Sequence, residues 1–94
     1  MERSKLIDAQ MMARIYPKTF EAPSESELQS IEIGDSIKVS ADGERFWVQV
    51  TDVVLNDRYI VGFVDNDLIL SDAHGYRYED KIRVEFNEVY AILK

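Results

Sequence analysis

The sequence predicts an α+β domain: N-terminal helices followed by a five-stranded antiparallel SH3-like small β-barrel. Three observations predict it. Apolar residues recur at helical spacings before residue 32, they alternate with polar residues from Ile33 onward, and short Asp-, Asn- and Gly-containing stretches separate the alternating runs. An OB-like barrel is the alternative. That architecture normally places a helix between the third and fourth strands, where this chain has "DLILSDAHGYRYED", a stretch rich in turn residues.

Residues 2 to 16 put Leu6, Ile7, Ala9, Met11, Met12, Ala13, Ile15 and Tyr16 on a wide apolar stripe, which predicts a helix that Pro17 ends. "KTFEAP" reads as an extended connection. Ser24 and Glu27 have capping-box spacing at the start of a second, short helix, "ESELQSI". In "IGDSIKVSADG" Ile37 and Val39 alternate with Ser36, Lys38 and Ser40, and "ADG" supplies the turn into the next strand. "RFWVQVTDVVL" is long enough to bend, and "NDR" supplies the following turn. "YIVGFVDN" is a third strand with Gly62 inside it, the mark of a bulge or a close backbone approach. "IRVEF" is a fourth, and "VYAIL" a short fifth after a single turn at "NEV".

The adjacent pair Phe46 and Trp47 poses a choice, because neighbouring side chains of a strand point to opposite faces. Phe46 shares its face with Val48 and Val50, an uninterrupted apolar run, and is therefore assigned to the core. Trp47 then lies outside, near Tyr59, Val61 and Phe63. An apolar surface of that size calls for cover, and the N-terminal helix is the expected cover.

Ninety-four residues with 46% hydrophobic content suit one domain, with a helical segment over residues 1–32 and the barrel over 33–94. The absence of cysteine excludes disulfides and thiolate zinc sites. No stretch approaches the roughly 20 apolar residues of a membrane span, so the expectation is a cytoplasmic chain with no membrane partner. The net charge of −7 is spread along the sequence without a basic cluster, which speaks against nucleic acid as a partner.

The densest polar stretch runs from Asp65 to Asp80. It lacks the glycine and closing glutamate of an EF-hand loop, so Asp and Asn bonding to their own backbone is the favoured reading over a cation site. His74, the single histidine, precedes Gly75, a pairing that marks a left-handed loop position more often than a catalytic centre. Glu44 and Arg45 point apart on their strand; cross-strand salt bridging is favoured over an anion site beside Trp47. No Ser-His-Asp set, phosphate-cradling glycine loop or scaffolded carboxylate pair is recognisable.

At "GDSIKV", "GERFWVQVTDV", "YIVGFVDNDLI" and "HGYRYEDKIRVEFNEVYAI" the chain resembles a family of small bacterial proteins classed as a domain of unknown function, over about residues 33–92. Members often carry Gly-Asp before the fourth strand, where this chain has Glu79-Asp80. The resemblance implies a small β-rich domain, brings no activity or cofactor, and marks Glu44, Arg45, Phe46, Trp47, Asn66, Asp67, His74 and Gly75 for attention.

The functional expectation is a noncatalytic interaction or ligand-binding module without cofactor or metal, contacting its partner through Arg45, Trp47, Asn66, Asp67 and His74. Two alternatives stand beside it: a metal-assisted hydrolase using His74 with Asp65 or Asp67, and a structural protein that self-associates through its N-terminal helix.

Overall fold

A computed structural model describes residues 3–94. Five strands form one antiparallel sheet in the order β4-β3-β2-β1-β5, with β1 Ser36–Ala41, β2 Glu44–Val54, β3 Tyr59–Val64, β4 Lys81–Glu85 and β5 Ala91–Leu93. Short helices accompany it: α1 Ala9–Ile15, α2 Glu25–Gln29 and α3 Ser71–His74, with a 3₁₀ turn at Phe86–Glu88 between β4 and β5. The architecture is mixed α+β. The sheet does not close: β4 and β5 are its edges, and among the described residues no pairing joins them.

Each turn has a local cause. Asp42 and Gly43 connect β1 to β2 as a two-residue turn, both in the left-handed region at φ 45° and 85°, which short-chain Asp and glycine tolerate. The β2–β3 register shifts between Val50 and Asp52, so the eleven-residue β2 bends there, as its length requires. Gly62 is a close approach. A Cβ built on it would lie 2.7 Å from Val48 Cγ1 and closer still to the Gln49 carbonyl oxygen. Glu79 takes φ 69° just before β4, a conformation that costs a residue with a Cβ and suits glycine.

The inward face of the sheet carries Ile37, Val39, Phe46, Val48, Val50, Ile60, Val64, Ile82 and Val84, all buried. Leu6, Leu28, Ile31, Tyr76, Phe86 and Val89 close the core from the helices and loops. The assignment of Phe46 inward and Trp47 outward is what the structure has: Phe46 is 1% exposed, whereas Trp47 is partly exposed.

Two expectations about the N-terminus need correction. The first helix begins at Ala9, because Asp8 caps it by accepting from the Met11 amide. Residues 4 to 7 are not helical, the Ser4 amide donating to the His74 carbonyl and the Ile7 amide to the Ser40 carbonyl. Glu2, which the expected helix included, lies outside the described residues. Nor does α1 cover the Trp47 side. It packs chiefly on the 3₁₀ turn and leaves Met11, Ile15 and Tyr16 exposed. The second helix forms as expected, with the Ser24–Glu27 capping box complete.

Candidate functional site

On the outward face of the β1–β2 hairpin, Lys38 stands opposite Trp47 and Ser40 opposite Arg45. The Lys38 ammonium lies 4.9 Å from the centroid of the Trp47 ring, and the Arg45 guanidinium lies 4.9 Å from that of Tyr90. Tyr90 reaches this face from the segment before β5, where its amide donates to the Lys38 carbonyl. Phe20, in the connection between α1 and α2, packs on Tyr90 with ring centroids 4.6 Å apart. The result is two aromatic platforms, each roofed by a cation, on the side of the sheet away from the core.

Asn66 fixes one end of this surface. Its Oδ1 accepts from the Trp47 backbone amide at 2.7 Å and its Nδ2 donates to the Asp67 carbonyl, while the Asp65 amide donates to the Trp47 carbonyl. The β2–β3 ladder is thereby extended past Val64. Asp and Asn bonding to nearby backbone recurs in the same loop, where Asp80 accepts from the Arg77 amide. Asp65 and Asp67 are exposed, and among the described residues no group of three or more His, Asp or Glu could hold a metal.

His74 lies beneath the surface, fully buried. Its Nδ1 accepts from the Tyr76 amide at 3.0 Å, which leaves the ring proton on Nε2, and Nε2 donates to Glu44 Oε1 at 2.8 Å. The same Glu44 carboxylate accepts from the amides of Ile69 and Leu70, both at 2.8 Å. Burial pushes the Glu44 carboxyl up, but the Ile69 amide, His74 and the Leu70 amide outweigh it, and its pKa falls below the usual carboxylate value. Gly75 follows at φ 83°, the left-handed position expected of it.

Of the five nominated residues, the structure brings Arg45, Trp47, Asn66 and Asp67 to neighbouring places around the hairpin face and the loop after β3, and puts His74 in the core below. The favoured reading of Glu44 and Arg45 as cross-strand ion pairs is overturned: Glu44 bonds His74 and backbone amides, and Arg45 stacks on Tyr90. Lys38, Tyr90 and Phe20 were missed. Lys38 was legible in principle, since its alternation puts it outward beside Trp47, whereas Tyr90 and Phe20 arrive from distant segments. No family model, no curated protein and no solved structure matches this chain.

Proposed function

We propose that this chain is a noncatalytic binding module, an SH3-like small barrel that contacts its partner through the outward face of the β1–β2 hairpin. Trp47 and Arg45 supply the contact area, Asn66 and Asp67 its polar border, and His74 holds the underlying loop through Glu44. The observation that carries the reading is that Trp47, a large aromatic, stays partly exposed on the face opposite the core while α1 packs elsewhere. Strand order and the 3₁₀ turn before β5 support the barrel. A cytoplasmic setting and membership of the uncharacterised bacterial family belong to the same proposal.

The test is affinity capture with the wild-type chain and with Trp47→Ala and Arg45→Gln, each variant first checked for an unchanged fold by thermal melting. The reading expects at least one retained partner to be lost from both variants. Partners held equally by all three chains would end it.

A second reading draws on the exposed side chains of α1, where Met11 and Ile15 lie one turn apart at 45% and 57% exposure, followed by Tyr16. Self-association through this helix would raise the light-scattering mass with concentration, and Met11→Lys with Ile15→Lys would restore the monomer.

A further inference from the structure

Resting on the binding-module reading, we propose that the hairpin face receives an acidic peptide segment, one whose carboxylates flank a large apolar side chain. The chain carries 18 acidic and 11 basic residues, and five of the cations pair with carboxylates: Arg3 with Asp80, Arg58 with Glu25, Arg77 with Asp72, Arg83 with Glu85, and Lys94 with Asp35 and Glu32. Lys38 and Arg45 make no ion pair and no side-chain hydrogen bond among the described residues, although carboxylates are abundant. Both sit on the same outward face, diagonal to each other across β1 and β2.

Their posture suits an incoming carboxylate. A guanidinium lying over a ring uses its π-face, and its N–H donors remain free at the rim, where their planar fork matches a carboxylate in two-point fashion. Tyr90 is itself braced by Phe20, so Arg45 rests on a platform that is already ordered. Lys38 brings a second positive charge over the indole, and the exposed part of Trp47 takes the apolar side chain. A basic segment would have to bury its charges against both cations. Glu21 and Glu27 line a cleft beside Tyr90, yet the Glu27 carboxylate turns back to the Ser24 amide and neither residue pairs with Arg45. Charges beyond about 8 Å are screened at physiological salt, and the exposed carboxylates Asp65 and Asp67 border the Trp47 end of the face, so the ligand's carboxylates belong at the Arg45 end.

The experiment is a titration of the ¹⁵N-labelled full chain with three capped peptides that share a central leucine-tryptophan core flanked by glutamates, by glutamines or by lysines. The glutamate peptide is expected to shift the amides of Lys38, Arg45, Trp47 and Tyr90 and to bind at least about tenfold more tightly than the lysine peptide, with affinity falling as salt rises. Lys38→Gln and Arg45→Gln should each weaken it about threefold or more while the melting curve is kept. Equal or tighter binding of the glutamine or lysine peptide at this face would overturn the acidic preference and leave the binding face standing. Shifts confined to other residues, or none with any peptide, would overturn the proposal, and the capture experiment then decides the module reading separately.

Discussion

Replacing Glu44 by glutamine removes a charge while nearly preserving shape. In the native site Oε1 accepts from the Leu70 amide and His74 Nε2, and Oε2 from the Ile69 amide. A carboxamide keeps its oxygen at the first position and turns its NH₂ toward the Ile69 amide, donor against donor. Two charge-assisted bonds become neutral, a loss of about 1 kcal/mol each, and a third bond of about 1 kcal/mol disappears. Ile69 is 89% exposed, so water takes up its amide and no buried orphan remains. The expected cost is about 2–3 kcal/mol at pH 7, or about 10–20 °C in Tm for a domain of this size. The pH dependence follows from the direction of the shift. Because the folded carboxyl lies below its ordinary value, its contribution is fully present above the unfolded pKa and is lost as pH falls through the folded one. Thermal melts from pH 7 down to pH 3 should show the gap between wild type and Glu44→Gln closing. A gap under about 0.5 kcal/mol at neutral pH, or one that does not change on acidification, would refute the claim that this carboxylate ties the loop to the hairpin.

Three other substitutions probe the frame. Gly62→Ala forces a methyl against the Gln49 backbone and should cost about 2 kcal/mol or more in chemical denaturation, whereas a near-neutral result would mean the strands can part there. Glu79→Gly relieves a left-handed residue and should stabilise the fold by up to about 1 kcal/mol; a loss of stability would contradict that account. Burial, with Glu85 and Asp8 nearby, raises the Glu88 carboxyl above its ordinary value, so its ionisation opposes folding as pH rises from the unfolded pKa through the folded one. Glu88→Gln keeps an acceptor for the Glu85 amide, and its stability relative to wild type should therefore increase between pH 4 and pH 7.

Local chemistry made much of the fold legible. The parity of Phe46 and Trp47 places one inside and one outside, Ser24 and Glu27 announce a cap, Asp42-Gly43 announces a hairpin, and Gly62 announces a close contact. What escaped depends on contacts between distant residues. The start of α1 was hidden because Leu6 and Ile7 fit a helical stripe as well as a non-helical strap, and only the partners at Ser40 and His74 decide between them. The Glu44–His74 bond spans thirty positions, yet a clue was present: Glu44 has the inward parity of Phe46, and a carboxylate facing a core needs a polar partner, which the single histidine supplies. Whether the sheet closes depends on edges far apart in sequence, which alternation does not address.

The chain has one tryptophan, so its fluorescence reports the central claim directly. Stern–Volmer quenching by iodide and by caesium, each normalised to free N-acetyltryptophanamide, reads both the exposure of that ring and the sign of the charge around it. Lys38 and Arg45 predict that iodide quenches relatively better than caesium despite the protein's negative charge, and that Lys38→Gln removes the preference. An indole that neither ion reaches, or one that caesium quenches better, would contradict an open, cation-flanked Trp47 face.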